Sequence, residues 1–109
     1  MEPIKKYRYK LIVEYDGFNY NGFQLQNENH VKTIEGQLVK AFKNFTQIDI
    51  EIFASGRTDS GVHAVAQTIH VDLPKLFSTH QIVVGLNFYL KHDEIAIIDA
   101  EIVDENFHA

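Results

Sequence analysis

The feature that most constrains the fold is the order in which three alternating stretches, one β-branched stretch and two helically spaced stretches follow one another along the chain. Across Tyr7–Tyr15 the odd positions are Tyr7, Tyr9, Leu11, Val13 and Tyr15, while Arg8, Lys10 and Glu14 take the other parity together with Ile12. A strand sends successive side chains to opposite faces, so this pattern predicts one buried and one polar face. Ile48, Ile50, Ile52 and Ala54 alternate in the same way with Asp49 and Glu51. Val65, Gln67, Ile69 and Val71 alternate with Ala66, Thr68, His70 and Asp72 until Pro74 ends the run. Proline has no N–H to give a sheet and so stops the third strand. Residues 95–103 are rich in isoleucine and valine and form the fourth.

The helices lie between these stretches. Ile34, Leu38, Ala41, Phe42 and Phe45 recur at helical spacing, with Thr33 placed as N-cap and Glu35 in the first turn. Gly36 weakens that turn by up to about 1 kcal/mol relative to alanine, which burial of two phenylalanines exceeds. Ser78-Thr79-His80-Gln81 has the spacing of a capping box, followed by Ile82, Leu86, Tyr89 and Leu90. The order strand, helix, strand, strand, helix, strand predicts an α+β fold of the ferredoxin-like split βαββαβ type, an antiparallel sheet with both helices on one face. With 109 residues and no repeat, low-complexity tract or evident linker, one domain is expected. The least patterned stretch is 17–32.

Composition narrows the function classes. The chain has no cysteine, which rules out a disulfide framework, a thiolate nucleophile and a cysteine-based zinc site within it. No apolar run approaches the roughly 20 residues that span a bilayer, and the first residues lack the apolar stretch of a signal peptide, so the cytoplasm is the expected compartment. The net charge is −5, but it is unevenly placed: residues 1–75 carry nine Lys or Arg against nine Asp or Glu, whereas residues 76–109 carry only Lys91 against six acids. A nucleic-acid protein ordinarily neutralises phosphates with a basic surface. The chain alone is therefore expected to bind RNA weakly.

The run Gly56-Arg57-Thr58-Asp59-Ser60-Gly61-Val62-His63-Ala64 concentrates a carboxylate, a guanidinium and two glycines in the connection between the second and third strands. A neighbouring positive charge holds an aspartate ionised, and glycines permit tight turning and close approach of a substrate. Taken by itself, Arg-Thr-Asp equally describes a polar surface turn with an ion pair worth about 0 to 1 kcal/mol. A second stretch, Tyr15-Asp16-Gly17-Phe18-Asn19-Tyr20-Asn21-Gly22-Phe23-Gln24-Leu25-Gln26, follows the first strand.

These two motifs, in this order, resemble those of the tRNA pseudouridine synthase A family: the catalytic Gly-Arg-Thr-Asp loop, and an N-terminal Tyr-x-Gly-x-x-Tyr-x-Gly signature followed by an aromatic, Gln, x, Gln. Lesser matches at Leu86-Asn87 and in 103–109 extend the similarity over nearly the whole chain. The resemblance implies the split fold, Asp59 as nucleophile, and Arg57 as the group that holds Asp59 charged or inserts where the target nucleotide is extruded. It implies an isomerase acting on uridines 38–40 of the tRNA anticodon stem-loop, without cofactor, and a homodimer in the longer protein. Family members are usually more than twice as long; the resemblance thus implies that residues 1–109 are the N-terminal catalytic-loop domain, lack the second domain that completes the cleft, and are inactive alone.

Around the nucleophile, Tyr20, Gln24 and Gln26 offer a ring and amides suited to stacking on unpaired bases and bonding their edges. Phe18 and Phe23 either join them or staple the segment to the domain. Thr58 and Ser60 orient the carboxylate or close a local turn, and His63 contacts RNA or packs the loop. Lys6, Arg8 and Lys10 share one strand face, as phosphate contacts or as a solvated basic face. Asp59, His63, His70 and Asp72 match no familiar ligand spacing, so no metal is expected. Two other classes fit a split fold: a non-catalytic RNA-binding module of RRM type, which would need an aromatic run this chain lacks, and a ferredoxin-like oligomerisation domain.

Overall fold

The computed structural model describes residues 6–15, 33–54 and 65–109. Six elements follow in the expected order: β1 (Tyr7–Tyr15), α1 (Ile34–Thr46), β2 (Phe53–Ala54), β3 (Val65–Leu73), α2 (Thr79–Leu90) and β4 (Ile95–Val103). The strands form one antiparallel sheet in the order β2-β3-β1-β4, which places the two strands with the longest alternation at its centre. This is the α+β split βαββαβ arrangement.

Alternation decides which face is which. Tyr9, Leu11, Val13 and Tyr15 of β1 and Gln67, Ile69, Val71 and Leu73 of β3 are all buried on one face, where they meet Ile34, Leu38, Ala41 and Phe42 of α1 and Ile82, Leu86 and Leu90 of α2. Both helices start with their side-chain caps formed. Thr33 Oγ1 accepts from the Gly36 N–H at 3.1 Å, and Ser78 and Gln81 exchange bonds of 2.9 and 3.0 Å in a complete capping box. α1 ends at Gln47, in the left-handed region at φ 64°, where its N–H bonds the Lys43 carbonyl at 2.8 Å. The buried Tyr9 keeps its hydroxyl satisfied by donating to the Phe77 carbonyl and accepting from the Phe77 N–H, at 2.7 and 2.8 Å.

Two expectations need correction. The alternation of residues 48–54 predicts a full second strand, yet only Phe53 and Ala54 pair with β3, opposite His70 and Ile69. Ile50 and Ile52 are still buried, so the burial pattern was read correctly and the ladder was not. Continuing the register would set Glu51 opposite Asp72 and Asp49 opposite Pro74, a like-charge pair and then a residue with no N–H. Instead residues 48–51 part from β3 beside a cleft of about 370 Å³ lined by Ile48, Ile50, Phe53, Asp72 and Pro74. The second correction concerns α2. Ile82, Leu86 and Leu90 form its buried stripe, whereas Tyr89 lies off it, 41% exposed and edge-on to Phe88 at 5.1 Å.

β4 is an edge strand, and its pairing to β1 shifts register between Ile12 and Val13. Near that irregularity Asn87 of α2 supplies the hydrogen bonds that a further strand would otherwise make. Its Nδ2 donates to the Ile97 carbonyl at 3.0 Å and its Oδ1 accepts from the Ile97 N–H at 2.7 Å. The Leu86-Asn87 match is thus structural: one residue fills the core and the other pins the sheet edge.

Candidate active site

Asp59, Arg57, Thr58, Ser60 and His63, with Tyr20, Gln24, Gln26, Phe18 and Phe23, lie outside the described residues. What the structure defines is the frame to which their two segments attach. Tyr15, the last residue of β1, pairs with Val65, the first of β3, and with Ile95, the first of β4. β1 therefore ends and β3 begins on neighbouring strands at one end of the sheet, at a spacing of about 4.8 Å. Ala54 is on the other flank of β3, paired with Ile69, four residues in from that end.

A buried polar bond links β1 and β3 close to this end. The Tyr15 hydroxyl donates to Gln67 Oε1 at 2.9 Å, with Tyr15 2% and Gln67 6% exposed. Tyr15 opens the first motif and Gln67 follows the second by three residues. A bond made inside low-dielectric surroundings is strong and helps fix both side chains. Sequence reasoning assigned Tyr15 to the core by parity but gave Gln67, on the same face, no partner.

The opposite face of the sheet carries the charged residues. The basic stripe does not lie free there. Arg8 bonds both carboxylate oxygens of Asp72 through Nε and Nη2, each at 2.9 Å, and its Nη1 donates to the carbonyls of Glu105 and Phe107, each at 2.7 Å. Lys10 stands 3.7 Å from Glu101 and 5.9 Å from the Phe107 ring centroid. Of the three, only Lys6 is exposed, while Arg8 and Lys10 are partly buried. Register explains the main pair, since Arg8 and Asp72 are direct cross-strand partners on one face. The hydrogen bond from Arg8 holds the Asp72 carboxyl below the usual carboxylate range against its own partial burial, and the same contact raises Arg8.

His70, expected on the polar face, is 1% exposed. Its ring stacks on Phe53 at 4.7 Å with 8° between planes, and meets His108 at 4.9 Å and Phe107 at 6.2 Å edge-on. Nδ1 accepts the Ala109 N–H at 3.0 Å. Burial pushes its pKa down, and the charges of Arg8 and His108 act in the same direction. The sequence signal for this cluster was present in the match at 103–109, but nothing in the chain's linear order placed that segment over β3. Among the described residues no group of three or more His, Cys, Asp or Glu stands close enough to hold a metal ion, and no helix is long and apolar enough to cross a membrane.

The described residues define a split α+β domain in which β1 and β3, the strands that precede the first motif and follow the second, are neighbours in the sheet. Residues 11–109 match the family model described as tRNA pseudouridine synthase, and the chain belongs to that family. It is similar to the tRNA pseudouridine synthase A of Paramagnetospirillum magneticum, 42% identical over 102 residues, and to those of a Caulobacter species, 43%, and of Wolbachia pipientis wMel, 39%. Each alignment covers 94% of this chain and 39 to 41% of the relative, so the chain spans about two fifths of the length of the curated relatives it matches.

Proposed function

We propose that this chain carries the nucleophile-bearing part of a tRNA pseudouridine synthase, with Asp59 as nucleophile and Arg57 as its charged neighbour. The observation that carries this reading is the family match across residues 11–109, which spans the Gly56–Ala64 loop and the Tyr15–Gln26 stretch. The geometry supports it: β1 ends at Tyr15, where the first motif starts, beside Val65, the first residue after the second motif, and the Tyr15–Gln67 bond links these two strands.

The reaction breaks the bond between uracil N1 and the sugar C1′ and forms one between C5 and C1′. A proton leaves C5 and N1 gains one, so atoms balance with no redox partner. Positive charge builds on the sugar as the first bond opens, and an ionised carboxylate stabilises it or bonds covalently. A guanidinium close to Asp59 keeps that carboxylate charged. Tyr20, Gln24, Gln26, Thr58 and His63 are the proposed RNA contacts, and the substrate is the anticodon stem-loop at positions 38–40.

Turnover also needs an opposing wall that excludes water and positions the base, so residues 1–109 are expected to be inactive alone. We further propose a cytoplasmic homodimer for the longer protein. Val84 and Phe88 of α2, 54% and 60% exposed, are compatible with a covered face. The test is pseudouridine formation in an unmodified tRNA transcript, comparing the chain with a form extended past Ala109, each with and without Asp59→Ala. Asp59→Ala is expected to abolish product in the extended form while tRNA binding and folding persist. An extended protein that binds tRNA and makes no pseudouridine would instead support the passive RNA-binding module.

A further inference from the structure

We propose that residues 104–109 form a strap docked across the open face of the sheet by Arg8, Asp72 and His70, and that these three are positioning residues for the proposed reaction. The inference rests on the reading of the previous subsection for its catalytic consequence, but not for the docking itself.

The strap is built by a turn at the end of β4. Asp104 accepts the Asn106 N–H on its side chain at 2.8 Å and the Phe107 N–H on its carbonyl at 2.9 Å, and this reverses the chain back over the sheet. Every strap atom the cradle holds by a hydrogen bond is a backbone atom: the carbonyls of Glu105 and Phe107 on Arg8, and the Ala109 N–H on His70. Asp72 holds the guanidinium in a two-pronged fork and so aims Nη1 at the strap. What is read is the path of the strap. Its far end is also joined to the candidate site, because His108 and Ala109 meet the His70 ring, and that ring stacks on Phe53, two residues before residue 55. The root of the loop bearing Asp59 and the end of the strap therefore share one aromatic stack.

The lock depends on the state of one ring. Nδ1 of His70 accepts a hydrogen bond only while unprotonated, and a protonated ring would turn two donors toward each other. Facing the ring are Arg8 and Lys10 from β1, Asp72 on β3, the uncharged Phe53 on β2, and Phe107 and His108 on the strap. The helices lie on the other face. Of these groups Asp72 opposes the loss of the proton, while burial, Arg8 and His108 favour it. The His108–Ala109 end of the strap is thus docked at neutral pH and released in acid, while the Arg8 bonds to Glu105 and Phe107 do not depend on this ring.

The test uses two variants and two readouts. His70→Asn keeps an acceptor near the Nδ1 position and cannot titrate; His70→Phe keeps a ring and loses the acceptor. In the 109-residue chain, nuclear Overhauser contacts between Phe53 and His108, with the Ala109 amide shift, report docking. Core amides of Leu11 and Ile69 report the fold. Docking in the wild type is expected to fade as pH falls below about 6.5 with the core signals unmoved, to persist in acid in His70→Asn, and to be missing at every pH in His70→Phe. In the extended protein His70→Phe is expected to lower kcat roughly ten- to hundredfold with KM for tRNA little changed, and His70→Asn to restore it. A strap signal that is independent of pH and intact in His70→Phe overturns the docking lock. A strap that undocks with kcat unchanged overturns the positioning role. A wild type that makes no pseudouridine overturns the catalytic reading and the positioning role with it, and the NMR arm then decides docking by itself.

Discussion

Asp72 and His70 stand two residues apart on one strand face, and their protonation equilibria are shifted for different reasons, which separates their effects on stability by pH. His70 has a lowered pKa, chiefly through burial, so the unfolded chain binds its proton more readily than the folded one. Stability from this group is complete above about 6.5, the ordinary histidine value, and is lost as pH falls from there toward the lower folded value. Asp72 has a depressed pKa owing to the Arg8 hydrogen bond, so its contribution is present above the ordinary carboxylate value and is lost only as pH falls through its own lower one. Urea midpoints measured against pH are expected to fall in two steps. His70→Asn should remove the upper step and Asp72→Asn the lower. The Arg8–Asp72 partnership follows from the strand register, whereas burial of His70 does not, since it requires residues 104–109 to fold back over β3.

At the scale of elements, the contact between the helices turns on a glycine. A Cβ placed on Gly85 of α2 would overlap the ring of Phe45 on α1, which itself packs against Phe77 at 5.2 Å. Gly85→Ala gains up to about 1 kcal/mol of helix propensity but forces an overpacked contact costing about 1–3 kcal/mol, so net destabilisation is expected. Urea denaturation checks it, and Gly85→Ala in a Phe45→Leu background should recover most of the loss. Asn87 is a second such point. Asn87→Ala frees both backbone groups of Ile97 on the edge strand, and a loss of about 1–3 kcal/mol is expected by the same measurement. Both α-helices were legible from spacing and caps, because those signals are local. The extent of β2 was not, because it depends on what Glu51 and Asp49 would face across the gap.

For the whole molecule, the expected outcome is that catalysis and folding separate: Asp59→Ala should abolish pseudouridine formation in the extended protein while its thermal midpoint stays within about 2 °C of the wild type. The core supports that separation, since the hydrophobic cluster between the sheet and the two helices is drawn from β1, β3, β4, α1, α2 and the 50–52 segment. Arg8 and Lys10 are engaged with partners within the domain, and the last third of the chain is acidic; filter binding of the 109-residue chain to tRNA is expected to be weak and strongly salt-dependent.

By itself the sequence determined the order of the six elements, the buried face of each long strand, the N-caps of both helices and the family, because each rests on neighbours within a few turns or on a motif of fixed spacing. Tertiary structure alone decided that β2 shortens to two paired residues, that Gln67 meets Tyr15, that Asn87 serves a sheet edge, and that the basic stripe is occupied by a strap. Each of these joins residues 10 to nearly 100 positions apart, where only the folded path of the backbone brings the partners together.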